Sequence, residues 1–426
     1  MSGEPRRNMP YKDIGLPGTT LFSAIAGELL GDLKAGCRLA NRIEEDLIRR
    51  RWPVGMMYGS EAELCERFQV GRSVIREAVR VLEVRGCARM RRGPNGGLLI
   101  LQPSRTQCVE MAADYLQLLD LSSEQIDEAD SMLSHVKMQL VDAAQVSESR
   151  WKASELAEVS NIAIPFFDEL IAAVRLLSRE HMNSSAGSKS RPLFHHSRAG
   201  QIARQLMSEC TPEEWARGMR LGSTLDLCER YHIYRDVVRQ AIRILESAGL
   251  AVSLIGRGHG IISRAPRPAS ICRLISCHFS AHGLSYAAAM KFHQCISIEA
   301  IAKVATVATP ADVDCINCAL DRIGNALESS REKQLADSIY EAEERQLSLL
   351  GNPLIDLLLR STKAFSGRQI ASIGESLLRN QIYLAETRRV AAAISSGDPA
   401  LAVQAQHAKI QCLARVFPGI AEGRNT

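Results

Sequence analysis

Gly59 to Leu99 reads GSEAELCERFQVGRSVIREAVRVLEVRGCARMRRGPNGGLL, and Gly222 to Ile262 reads GSTLDLCERYHIYRDVVRQAIRILESAGLAVSLIGRGHGII. The two stretches align without a gap at an offset of 163, with 17 identities in 41 positions. Ser60, Leu64, Arg72, Arg76, Ala78, Arg80, Leu82, Gly86 and Gly97 are among the identities. Like-for-like exchanges, such as Phe68 with Tyr231 and Val70 with Ile233, extend the match. One structural unit is therefore expected twice in the chain.

Each copy reads the same way. Ser60 ahead of Glu61 and Glu63 is an N-cap signal, and a short helix to Phe68 follows. Gln69 to Gly71 is a tight turn, and a second helix starts at Arg72 or Ser73. Val74, Ala78, Val81 and Leu82 form its apolar stripe, and Gly86 ends it. Cys87 to Met90 reads as a strand, Gly93 to Gly97 as a hairpin tip and Leu98 to Leu101 as the return strand. In the second copy the cap pair is Ser223 and Asp226, and the stripe is Val237, Ala241, Ile244 and Leu245. Gly249 is the stop there, and Gly256 to Gly260 the tip. Helix, turn, helix and hairpin make a winged helix-turn-helix plan.

The polar side of the second helix carries Arg72, Arg76 and Arg80, one helical turn apart and opposite the stripe. Gly59 to Arg105 holds nine arginines and five acids, a local excess of +4 in a chain whose net charge is also +4. The wing adds Arg89, Arg91 and Arg92. Arginines at a helix start can read guanine edges, and wing arginines can meet phosphate or the minor groove. The candidate DNA-binding set is Arg72, Ser73, Arg76, Arg80, Arg89, Arg91, Arg92, Asn95 and Gly97 in the first copy. In the second it is Arg235, Arg239, Arg243, Arg257 and His259, with a less basic wing.

The motif around the first copy resembles the DNA-binding domain of the GntR family of bacterial transcription regulators. The resemblance rests on Gly55, Ser60, Glu61, Leu64, Val70, Arg72, Val74 or Ile75, Arg76, Glu77, Ala78, Leu82 and Gly86. It implies that Arg72 and Arg76 are recognition-helix arginines and Gly97 the wing glycine. There are departures: Gly71 and Tyr234 replace the family's serine before the first arginine, and Ala62 replaces an arginine that contacts DNA. The second copy has Thr224 and Gln240 where the first has Glu61 and Glu77.

The rest of the chain reads as helix. Aromatics make up only 5% of 426 residues, which favours helices over sheets and argues against a base-stacking coat. The expected fold class is mainly α: two winged helix-turn-helix domains with small β-hairpin wings, combined with all-helical bundle domains. The expected boundaries are 36–104 and 192–265 for the winged domains, 105–183 for a shortened bundle and 270–418 for a longer one. In the first bundle Met111, Tyr115, Leu118 and Leu119 form one stripe, and Leu133, Val136, Leu140 and Val141 another. Asn183 to Ser190 and Arg264 to Ser270 read as linkers. Helices are expected over Ala287–Ala308, Asp312–Leu327, Lys333–Leu350, Pro353–Arg360, Ile370–Ile394 and Leu401–Val416.

The last segment resembles the helical effector domain of the FadR-type branch of the family, through Gly351-Asn352-Pro353 and Ser396-Gly397-Asp398. That resemblance implies a small organic acid or acyl ester as effector, and residues 106–181 look like a shortened copy of the same bundle, about half its length, suited to a spacer or dimer contact. Many such domains hold a metal with one Asp and three His, but here the corresponding positions fall on Ile339, Glu343, Thr387 and Lys409. Asp337 and His407 lie nearby in the wrong registers. No metal and no cofactor is therefore expected. His282, His293, Arg273, Lys291 and Arg345 are candidate ligand contacts, although for each a surface or core role is the plainer reading. The 12 cysteines are scattered, with Cys315 and Cys318 the only C-x-x-C pair, and read as free thiols.

Neither a signal peptide nor a membrane span is legible, so a cytoplasmic protein is expected. No H-E-x-x-H, G-x-S-x-G or phosphate-loop motif supports an enzyme. The expectation is a DNA-binding regulator acting on double-stranded DNA as a homodimer or as an internal pseudo-dimer. The alternative is a DNA-bound structural or interaction module that has lost ligand sensing.

Overall fold

The computed structural model describes residues 34–93, 96–145, 151–184, 197–254, 260–329, 335–372 (with gaps between 336 and 347) and 377–416. The chain is mainly helical and carries two small antiparallel sheets. Among the described residues no helix is long and apolar enough to cross a membrane.

The first unit begins with α1 (Ala35–Arg49), α2 (Glu61–Phe68) and α3 (Arg72–Val84), followed by β1 (Ala88–Arg91) and β2 (Gly97–Ile100). Ser60 starts α2 through a reciprocal capping box. Its hydroxyl accepts from the Glu63 N–H at 3.2 Å, and the Glu63 carboxylate accepts from the Ser60 N–H at 2.7 Å. Gln69, left-handed at φ 54°, ends the helix and turns the chain. The hairpin pairs Ala88 with Ile100 and Arg91 with Gly97. A strip from Met57 to Gly59 closes against its far side: Leu98 N–H donates to the Gly59 carbonyl at 2.8 Å. This approach explains the wing glycine, because a Cβ on Gly97 would sit 2.6 Å from the Gly59 oxygen.

The second unit runs α8 (Arg198–Ser208), the short α9 (Pro212–Ala216), β3 (Arg220–Gly222), α10 (Thr224–Tyr231), α11 (Arg235–Ser247), β4 (Ala251–Ser253) and β5 (Ile261–Ser263). The strand order is β3-β5-β4. Ser223 and Asp226 repeat the capping box, and His232 repeats the left-handed turn at φ 51°. A Cβ on Gly260 would likewise sit 2.6 Å from the Gly222 oxygen.

The apolar stripes differ from expectation by a small rotation. α3 buries Ile75, Ala78, Val79 and Leu82, while Val74 and Val81 are only half-buried. In α11 the buried set is Val238, Ala241, Ile242 and Leu245. The cause lies outside the motif: α1 packs along α3, and α8 along α11, turning the buried face toward these preceding helices.

Between and after the units lie α4 (Arg105–Gln117), α5 (Ser123–Gln145), α6 (Ala153–Glu158), a π-helical turn (Val159–Ala163) and α7 (Ile164–Ser184). They are followed by α12 (Pro268–Ala281), α13 (Tyr286–Val307), α14 (Pro310–Glu328), α15 (Pro353–Ser372), α16 (Leu377–Ser395) and α17 (Pro399–Val416). The helices of the two regions pack on one another: α4 on α12, and α5 on both α13 and α15. Phe166 and Phe167 of α7 meet Phe279 of α12 with ring centroids 5.8 and 6.0 Å away, and Phe279 meets Phe365 of α15 at 5.8 Å.

Several expected boundaries change. Pro268, read as linker, is the first residue of α12, a position where its missing N–H costs nothing. Asn183 and Ser184 are the end of α7, and residues 185–190 of the expected linker lie outside the described residues. α15 continues past Arg360 to Ser372, and α16 starts at Leu377 rather than Ile370. Val141 is 58% exposed, while Ile126 and Ala129 complete the buried face of α5.

Five helices of the second half start 163 residues after a helix of the first: α8 after α1, α10 after α2, α11 after α3, α12 after α4 and α13 after α5. The common offset thus extends on both sides of the stretch in which the residues themselves align.

Candidate nucleic-acid interface

α3 places its arginines where its N-cap geometry dictates. Gly71 is extended and Arg72 is the first helical residue, so the Arg72 side chain leaves from the exposed first turn beside exposed Ser73. Arg76 and Arg80 follow on the same exposed face. Arg76 donates to the Glu61 carboxylate at 3.0 Å, yet its side chain remains 60% exposed. In water such a pair is weak, and a guanine edge or phosphate can replace the carboxylate at little cost. Arg89 and Arg91 point the same way from β1 because strand side chains alternate, and Arg92 is exposed beyond them. Gly97 is buried and serves the wing's packing rather than offering a side chain. Asn95 lies outside the described residues.

In the second unit Arg235 and Arg239 are exposed, with Asp236 3.7 Å from Arg239. Arg243 is half-buried, and its charge is disfavoured by burial and then by Arg80 and Arg239. Arg257 and His259 lie outside the described residues. Tyr234, 87% exposed immediately before α11, was not among the expected contacts. It occupies the N-cap position of Gly71, and this unlike pairing in the repeat is the signal that could have found it.

The C-terminal ends of α3 and α11 come together. Arg85, which follows α3, is buried. It donates to Glu44 at 2.7 Å, to Asn41 at 2.9 Å and across to the Ser247 hydroxyl at 3.0 Å. Burial disfavours its charge, but the Glu44 carboxylate more than offsets this and holds its pKa above the usual arginine value. Lys34 reaches Glu246 of α11 at 2.8 Å. The N-terminal turns with Arg72 and Arg235 therefore lie at the outer ends of the paired helices.

The candidate ligand contacts in the helical region are mostly internal partners. Arg273 is buried and pairs with Glu45 at 3.6 Å. Lys291 pairs with Glu155 at 2.5 Å and lies over the Trp151 ring. Arg345 reaches Glu341 at 3.7 Å, and the His282 ring lies 4.0 Å from that of His278. His293 is held 3.2 Å from the Thr362 hydroxyl. Burial, and then the neighbouring Lys363, push its pKa down to about 3. Burial likewise lowers Lys363 to about 7 and Lys409 to about 8.

At the family's metal positions, Thr387 donates to the Tyr383 carbonyl and Lys409 lies against the Tyr383 ring. Ile339 offers no ligand atom, His407 is exposed, and Asp337 and Glu343 lie outside the described residues. Cys315 and Cys318 are exposed and free on α14. Among the described residues one group of metal-ligand type, Glu44, Cys87 and Cys277, brings its atoms within 4.8 Å. It is buried between the first unit and α12, away from the positions the resemblance singled out, and Arg85 already balances its carboxylate.

Residues 37–95 match the family model "Bacterial regulatory proteins, gntR family". Curated proteins give no match. Among solved structures, Streptococcus agalactiae GntR is similar at 19% identity and a TM-score of 0.38, covering 51% of this chain and 99% of its own. E. coli McbR/YncC is similar at 13% identity and a TM-score of 0.27, covering 54% of this chain and 100% of its own. Scores this low leave the arrangement of the whole chain to its own geometry. Residues 37–95, with α3 and its exposed arginines, are a GntR-family helix-turn-helix domain, and the protein carries the DNA-binding domain of a transcription regulator.

Proposed function

We propose that the protein is a sequence-specific transcription regulator in which both helix-turn-helix units, 36–104 and 192–265, contact double-stranded DNA in the cytoplasm. The helical regions 105–183 and 270–418 join the units, and the latter is an effector domain of the FadR-type branch that answers to a small organic acid or acyl ester. The observation that carries the DNA reading is the exposed face of Arg72, Arg76 and Arg80 on a helix inside the matched GntR segment. Arg76→Ala should lower affinity for a selected site by about 1–3 kcal/mol and relax base preference. Arg91→Ala should weaken all DNA alike and reduce the salt slope by about one unit. Equal losses on selected and random DNA for Arg76→Ala would remove its base-reading role.

A second reading has one specific support. Arg273, buried, and Lys291, half-buried, the cations that could clamp a carboxylate, are already paired with Glu45 and Glu155. On that reading the helical region is a DNA-bound structural module. A panel of carboxylates and acyl thioesters titrated against the protein–DNA complex separates the two. A shift in affinity supports the effector domain, and no shift across the panel supports the module.

A further inference from the structure

We infer that one chain acts alone on a bipartite, non-palindromic operator, its two unlike recognition helices held about one DNA turn apart by contacts within the chain. The inference rests on both helix-turn-helix units being DNA readers.

In a twofold dimer, each element at the axis meets its own equivalent, and each cross-contact occurs twice with the roles exchanged. This chain does both within itself. α3 packs on α11, α4 on α12 and α5 on α13, and each pair is related by the offset of 163. The cross-contact of α12 with α1, through Arg273 and Glu45, has its counterpart in α4 with α8, through Asp114 and Arg204 at 2.8 Å. Arg80 and Arg243 are equivalent residues, and Arg80 lies near enough for its charge to disfavour that of Arg243. They therefore flank the pseudo-axis, where two like charges suit the phosphates between two half-sites.

The separation of the readers follows from where the helices touch. Arg76 lies nine residues before Arg85, and Arg239 eight before Ser247, where the two helices meet. At about 1.5 Å per residue and about 8–10 Å between helix axes, they are at most roughly 36 Å apart. That is close to one turn of duplex, about 34–36 Å. That ceiling admits a one-turn spacing, and the buried Arg85 network ties the two helix ends together.

The two readers differ in chemistry. Gly71, Ser73 and Glu77 of the first unit stand opposite Tyr234, Asp236 and Gln240 of the second. Asp236 can accept from a cytosine amine and would be repelled by phosphate, and Gln240 suits adenine where Glu77 does not. The second wing has Val252 and Leu254 at the positions of Arg89 and Arg91, so the first half contributes more of the phosphate affinity.

The test is selection of duplexes from a random library by the full chain. The mass of the complex and the base preferences of Arg76→Ala and Arg239→Ala are then measured. The expected result is one chain per duplex and an asymmetric consensus, in which Arg76→Ala relaxes one half and Arg239→Ala only the other. A palindromic consensus with two chains per site would overturn this inference and leave the DNA-binding reading intact. So would relaxation of the same base pairs by both variants. Failure of the chain to select any sequence would sink the regulator reading itself, and this inference with it.

Discussion

Arg85 is the most informative residue to perturb, because it belongs to the first unit and closes on the second. Its side chain is 5% exposed and that of Glu44 is 0% exposed, so their pair is buried. Arg85→Ala would strip the Glu44 carboxylate of its cation while its other oxygen already has no hydrogen-bond partner. Removing one partner of a buried pair costs about 3–5 kcal/mol, because the remaining charge is left uncompensated. Loss of the bond to the Ser247 hydroxyl adds to this. The double replacement Arg85→Met with Glu44→Met removes both charges and should return to within about 2 kcal/mol of the starting stability. With Arg85→Met and Glu44→Met each costing about 3–5 kcal/mol alone, the coupling energy from the double-mutant cycle should then be at least about 4 kcal/mol. Urea unfolding followed by tryptophan fluorescence suits the question, since Trp52 and Trp215 are buried in the two halves and report on each. A loss below about 1 kcal/mol for Arg85→Ala would refute the reasoning, for it would mean that water or a proton reaches Glu44 in the folded protein.

Two further perturbations test other parts of the fold. Gly97→Ala should loosen the first wing, because its Cβ would meet the Gly59 carbonyl oxygen at 2.6 Å and backbone must shift. The expected cost is about 1–3 kcal/mol, read as faster hydrogen exchange at Leu98, and unchanged exchange there would contradict the close approach. His293 should make stability fall in acid. Its folded pKa of about 3 lies below the unfolded value, so its contribution is complete above about pH 6.5 and lost as pH falls toward 3. By pH 5 the loss is about 2 kcal/mol, and His293→Gln should remove that part of the slope between pH 8 and 5. An unchanged slope in the variant would place the proton uptake elsewhere.

What the sequence made legible was local. The capping boxes, the left-handed turns and the register of Arg72, Arg76 and Arg80 each depend on residues within a few positions of one another, and all could be read directly. The stripe on α3 was misjudged by about one residue because its buried face is decided by α1, which lies outside the aligned stretch. That 105–183 is a shortened copy of the later bundle was legible, but the helix-by-helix pairing of α4 with α12 and of α5 with α13 was not. A helix core asks only for apolar residues at the right spacing, so that fold equivalence persists after residue identity is lost. Arg273 and Lys291 looked like candidate ligand clamps for a related reason: their partners Glu45 and Glu155 lie far away in sequence, and no local pattern announces a pair of that kind.

The differences between the halves are also what a pair of identical units could not share. Glu83 accepts from the Met90 N–H at 3.1 Å, and Glu246 accepts from the Ser253 N–H at 2.7 Å, one bond made at both equivalent places. Only Glu246 also meets a lysine, because the residue equivalent to Lys34 is Ser197. Arg85 faces Ala248 at the equivalent position, and Glu44 has Met207 as its counterpart. Two copies of the first unit placed in this arrangement would bring a second guanidinium where Ala248 now leaves room. Two copies of the second would put Met207 and Ala248 where the buried charge pair stands and remove the polar lock. The interface is therefore complementary rather than self-complementary. Covalent continuity keeps its two unlike sides at a fixed stoichiometry, and this pairing of unlike sides lets α3 and α11 differ in sequence while their C-terminal ends stay joined.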